Sequence, residues 1–175
     1  MRLYPRNKAT SLMTEIHPMT PLDVPAICEL ARRIWQATYT GLISQAQIDY
    51  MLADRYTPAR LRAQLEDPDH AWRIASRAGK KVGFAHASFD AGAGKLDKLY
   101  VHPDHQRRGI GRALLADIQV LARNRAATRL CLQVNRGNTA ALQAYRRYGF
   151  VVTNARVLDI GCGFVVDDFV MEMPL

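Results

Sequence analysis

Apolar positions recur along this chain with two periods, and the change between them falls near residue 70. Upstream, Ile27, Leu30, Ala31, Ile34 and Trp35 share one face at helical spacing. In front of them, Thr20-Pro21-Leu22-Asp23 supplies an N-cap, a proline at the first helical position and an acidic third residue. Ser44 opens a second helix with Ile48, Met51 and Leu52 apolar; Thr57-Pro58 opens a third, through Leu61 and Leu65 to Asp67-Pro68. Thr14-Glu15-Ile16-His17-Pro18 reads as a short strand before all three. Residues 1–12 show no apolar periodicity and are expected to form a disordered extension.

Downstream, Trp72–Ile74 and Val82–Phe84 lie in two short strand segments split by Ala78-Gly79-Lys80, a hairpin signal. A glycine turn over 90–94 leads to a strand from Leu96 to Val101. Ile110, Leu114, Ile118 and Leu121 then mark an amphipathic helix. Leu130, Leu132 and Val134 alternate as a strand, and Asn138 to Tyr148 forms a helix closed by Gly149. Phe150–Val157 and Phe164–Met173 are the last strands. The order is strand, three helices, three strands, helix, strand, helix, two strands: an α/β fold with a mixed sheet.

Composition narrows the class. The 175 residues are 49% apolar and 23% charged, ordinary for a globular domain and unlike disordered, collagen-like or coiled-coil chains. That length suits one domain, taken as residues 13–175. The longest uncharged stretch, Ile34 to Ile48, falls short of the ~20 apolar residues of a membrane span. No apolar run follows Arg2, Arg6 and Lys8, so no secretory signal is read. Cys28, Cys131 and Cys162 have the spacing of neither a disulfide framework nor a zinc site. A cytoplasmic protein without metal or membrane partner is expected.

The formal charge is +8, and it is unevenly spread. Between His105 and Phe150, arginines at 107, 108, 112, 123, 125, 129, 136, 146 and 147 face Asp117 alone. Such a field draws a polyanion, either a nucleic acid or a phosphorylated small molecule. No basic stretch interleaved with aromatics supports the nucleic acid. The segment Gln106-Arg107-Arg108-Gly109-Ile110-Gly111-Arg112 suits the small molecule. It stands between a strand and a helix whose first N–H groups lack partners and carry the positive end of the dipole. Glycines there admit a pyrophosphate close to the backbone. The third glycine of a dinucleotide fingerprint and the Gly-Lys-Ser/Thr of a P-loop are both missing.

The run from Leu99 through His102-Pro103-Asp104-His105 to Leu115 closely resembles the acyl-CoA motif of GNAT-type N-acetyltransferases. About 30 residues on, Asn138, Tyr145 and Gly149-Phe150 look like that family's second signature. Asp167-Asp168-Phe169-Val170-Met171 suits its last strand. The resemblance spans about Thr14 to Leu175. It implies a single domain with a mixed, mostly antiparallel sheet flanked by helices on both faces. It also implies acetyl transfer from acetyl-CoA to an amine by direct attack.

The same resemblance implies the site. Leu99, Tyr100 and Val101 would offer backbone groups to the pantetheine arm, and Arg107, Arg108, Gly109, Ile110, Gly111 and Arg112 would surround the pyrophosphate. Asn138 would hydrogen-bond the cofactor, although it is equally a plain N-cap. Tyr145 holds the family's tyrosine position and is the candidate acid, since a phenol near pKa 10 suits protonation of a departing thiolate. Family members place a Glu on the strand before the loop, but no Glu lies between Asp67 and Glu172. Asp97 on that strand is the candidate base, with His86 or a water chain as alternatives. Trp35 and Tyr39, together with Tyr50, lie where the family forms its acceptor pocket.

The expected acceptor is a primary amine on a small molecule; a protein N-terminus or lysine is the alternative. A non-catalytic acyl-CoA-binding regulator is the alternative of a different class, and a homodimer is left open. One competing motif, Val157-Leu158-Asp159-Ile160-Gly161-Cys162-Gly163, matches the glycine loop of S-adenosylmethionine methyltransferases. Only 12 residues follow it, too few for the βαβ unit of about 30 that the loop serves. Strand, turn, strand is expected there.

Overall fold

The structure is a computed structural model that describes residues 13–90 and 92–175. The expected extension over residues 1–12 lies outside the described residues. The chain runs β1 (Thr14–Pro18), α1 (Val24–Tyr39), α2 (Gln45–Arg55), α3 (Pro58–Glu66), β2 (His70–Arg77), β3 (Lys80–Asp90) and β4 (Ala93–Val101). It continues with α4 (Ile110–Asn124), β5 (Arg129–Asn135), α5 (Thr139–Tyr148), β6 (Val151–Gly161) and β7 (Phe164–Pro174). The element order is the one the two periods predict.

Local chemistry sets the helix starts. Ser44 Oγ accepts from Gln47 N at 3.2 Å, and Thr57 Oγ1 accepts from Arg60 N at 3.2 Å, each satisfying a donor the helix leaves open. Asp23 Oδ2 accepts from both Thr20 N and Thr20 Oγ1, at 2.8 and 2.7 Å, in the turn before α1. Gly149, at φ +102°, ends α5 in the left-handed conformation. β4 begins three residues earlier than the apolar alternation indicates, at Ala93. Gly94 is the reason. A Cβ there would stand 2.6 Å from Leu130 Cδ2, so close strand approach replaces a side chain.

The sheet order is β1-β2-β3-β4-β5-β7-β6. Every pairing is antiparallel except β4 with β5. On one face Trp72, Ile74, Phe84 and Val166 pack against Ile27, Ile34, Trp35 and Ile48 of α1 and α2 and Leu61 of α3. On the other, Ala71, Ala75, Ala85 and Ala87 receive Ile110, Leu114 and Ile118 of α4. Bulky side chains meet the α1–α3 layer, and alanines let α4 lie close. One sheet with helices on both faces is the expected architecture.

Candidate active site

β4 and β5 pair only over Ala93–Lys95 and Arg129–Cys131. Beyond Lys95, β4 keeps its partner β3 but has no partner on the β5 side. Backbone groups on that edge are open, and a cavity of about 960 Å³ occupies the gap. It lies outside the carboxyl ends of the only parallel pair among the described strands, where ligands of α/β sheets bind. Leu99, Tyr100 and Val101 line it.

At one end stands the start of α4. Gly109 is its N-cap at φ +77°, and no side chain caps the helix, so its first N–H groups remain available to an anion. Arg107, Gly109, Ile110 and Gly111 line the cavity; Arg108 and Arg112 are not among its lining residues. Arg108 Nη2 instead donates to Asp104 O at 3.2 Å. A Cβ on Gly111 would stand 3.1 Å from Tyr148 Oη, which shows how tightly the helix start is walled.

The middle of the cavity holds phenols. Tyr39 Oη and Tyr100 Oη are hydrogen-bonded at 3.0 Å. Trp35, 2% exposed, forms a wall and donates its indole N–H to Tyr56 Oη at 3.2 Å. Tyr145 lines the same space, with its ring edge-on to Phe150 at 5.7 Å. Its hydroxyl makes no hydrogen bond among the described residues, and burial pushes its pKa well up, so it stays protonated at neutral pH. Asn138 reaches the cavity as well as capping α5, accepting from Ala141 N at 3.1 Å. The N-cap expected of Asn138 is present, on a side chain that also faces the cavity.

Two carboxylates face the cavity in opposite electrostatic states. Asp97 is the extra residue of a β-bulge, without a partner between His86↔Lys98 and Ala87↔Leu96, and the bulge turns it toward the cavity. Burial would raise its pKa, but the His86 hydrogen bond at 3.2 Å and the adjacent Lys98 ammonium hold it well below the usual carboxylate range. His86, 1% exposed, is stacked on Trp72 and hydrogen-bonded to His70 at 2.8 Å. Burial lowers its pKa to about 4 despite Asp97, so it is neutral at pH 7. Asp168 of β7 has no such ties. Its carboxylate makes no hydrogen bond among the described residues, and burial raises its pKa, opposed by Arg55.

Sequence reasoning missed Asp168, Arg55 and Gln47, all of which line the cavity. Asp168 had a signal: it falls two residues after buried Val166, an acid on the apolar face of a strand. Gln47 Nε2 donates to Val165 O at 2.8 Å, and Tyr50 Oη donates to Ile160 O at 2.7 Å. These bonds clamp the β6–β7 hairpin over the cavity. Tyr50 therefore holds the hairpin and does not line the space. The methyltransferase-like segment forms the hairpin tip, with Gly161, Cys162 and Gly163 at φ +93°, +54° and +75°. It is strand, turn, strand.

An anion site at a helix start, an open strand edge and a carboxylate among phenols suit transfer of an acyl group from a phosphorylated thioester to an amine, with release of the thiol. The profile of the Acetyltransferase (GNAT) family matches residues 25–150, and the chain belongs to that family. It is an acyl-CoA-dependent N-acetyltransferase. A spermidine N(1)-acetyltransferase of Thermoplasma acidophilum is 25% identical over 142 residues, 79% of this chain and 88% of the relative. A ribosomal protein bS18-alanine N-acetyltransferase of Escherichia coli is 36% identical over 72 residues, 41% and 49% of the two chains. In fold, the chain is similar to the PaiA N-acetyltransferase of Thermoplasma acidophilum in complex with coenzyme A. That match has a TM-score of 0.84 at 24% identity and covers 94% of this chain and 100% of that one.

Proposed function

We propose that the protein transfers the acetyl group of acetyl-CoA to a primary amine of a small molecule, both substrates being bound at once. The observation that carries this reading is the parting of β4 from β5, which joins the uncapped start of α4 to the phenols and carboxylates in one cavity. The open edge of Leu99–Val101 suits the pantetheine amides. Arg107, Gly109, Ile110 and Gly111 suit the pyrophosphate, and Asn138 steadies the arm. Bound acetyl-CoA supplies the acetyl group as a thioester that the amine attacks directly, expelling the thiolate.

An alkylammonium near pKa 10.4 must lose a proton before it attacks. Asp168 takes that proton in our reading, because a carboxylate with a raised pKa is a stronger base than one pinned low. Asp97 keeps its charge and serves as a fixed negative field for the ammonium. Tyr145 gives its proton to the leaving sulfur and regains one from the nitrogen as the amide forms. Small-molecule acetylation is supported by the relative named for spermidine, which the chain matches over most of both lengths. Incubation with acetyl-CoA and pooled metabolites, read by mass spectrometry, tests the reading: a product heavier by one acetyl group supports it. Coenzyme A binding without any acetylated amine refutes it and favours a regulator.

A further inference from the structure

We infer that the acceptor carries a carboxylate as well as its reacting amine, and that Arg55 is the anchor for that carboxylate. The inference rests on the amine-acetylation reading and adds the acceptor's chemical class. Arg55 ends α2, half-buried, with its guanidinium carbon 6.0 Å from the centre of the Trp35 ring. It lines the cavity with Gln47, Tyr39, Ile160 and Asp168, on the acceptor side, away from the start of α4. The last turn of a helix favours a cation, which a side chain turned to solvent would satisfy equally. Arg55 turns inward.

Its charge is not answered there. The Arg55 guanidinium makes no hydrogen bond, and no ion pair within 4.0 Å, among the described residues. Nearby acids are taken: Asp54 by Arg60 at 2.8 Å, Asp167 by Arg136 at 2.7 Å, and Asp97 by Lys98. Beside Gln47 and Tyr39 that leaves Arg55 and Asp168 without an ion-pair partner among the described residues, close enough to influence each other but not in contact. A molecule that bridges them presents an ammonium to Asp168 and an anion to Arg55, as an α-amino acid or a near analogue does. The planar fork of the guanidinium matches a carboxylate in two parallel hydrogen bonds. A linear polyamine would instead bring a second ammonium against Arg55.

The test uses the full chain, acetyl-CoA and matched acceptors: α-amino acids, their primary amides and a linear polyamine, with kcat/KM read from acetylated product. We expect the acids to exceed their amides by about tenfold or more. Arg55→Gln should raise KM for the acids by about 10- to 100-fold, the value of a charge-assisted pair, and change KM for the amides far less. Arg55→Lys should recover part of the loss. Thermal midpoints of both variants should stay near that of the parent. Amides or the polyamine acetylated as well as the acids would overturn the inference and leave amine acetylation standing. An equal loss for acids and amides in Arg55→Gln would overturn it too. If no amine is acetylated while calorimetry still shows acetyl-CoA bound, the underlying reading fails and this inference with it.

Discussion

His86 ties the active site to the stability of the fold, and acid should expose the link. The residue is 1% exposed, and burial lowers its pKa from 6.5 to about 4, with the Asp97 hydrogen bond opposing. The unfolded chain therefore takes up a proton below pH ~6.5 that the folded chain refuses until pH ~4. In that window the unfolded state binds more protons, so stability is present above pH 6.5 and lost as pH falls toward 4. At about 1.4 kcal/mol per pH unit the full interval amounts to about 3 kcal/mol, of which about 2 kcal/mol is lost by pH 5. For a chain of this length that is a fall of about 4–8 °C in Tm. Urea or thermal unfolding at half-unit steps from pH 7.5 to 4 measures it. His86→Phe keeps a ring against Trp72 but has nothing to titrate, and among the other described histidines only His70, its hydrogen-bond partner, changes surroundings. Its stability should therefore decline less steeply over the same window. Parallel slopes for parent and variant would show that His86 is not held neutral, and the account of the Asp97–His86 pair would fall with it.

Tyr145→Phe should lower kcat about 10²–10⁴-fold, the range of general acid catalysis, with little change in KM for acetyl-CoA. Because the hydroxyl has no hydrogen-bond partner among the described residues, stability should hardly move, and full single-turnover activity would end the acid assignment. Gly111→Glu should abolish acetyl-CoA binding in calorimetry, since its Cβ already meets Tyr148 Oη at 3.1 Å and its charge opposes the pyrophosphate; unchanged affinity would remove the cofactor from this loop. Asp168→Asn should erase the acidic limb of the kcat/KM profile, while Asp97→Asn should keep that limb and weaken amine binding. The reverse pattern would return the base to Asp97.

What the sequence reveals of this site divides along a physical line. The cofactor end is built from contiguous residues: Gly109 as an N-cap and the first turn of α4 are a local arrangement, and local chemistry is written in neighbouring letters. The element order was legible for the same reason, since each amphipathic face repeats within a few residues. The acceptor end is assembled from α1, α2, β4 and β7. Asp97 reads as one polar position in an alternating strand; only the pairing with β3 shows the bulge that turns it inward. Asp168 and Arg55 lie more than a hundred residues apart and reach one cavity because β7 inserts between β5 and β6, an order no periodicity states. Arg108 and Arg112 make the opposite case, since proximity to a glycine motif does not fix where a long side chain turns. The contrast between Asp97 and Asp168 is more subtle still. The two residues are chemically identical and burial pushes both pKa values up; what separates them is that Lys98 and His86 hold the charge of Asp97, while Asp168 has no such partners. Catalytic roles in such a cavity belong to surroundings before they belong to residue types, and surroundings are made by the fold.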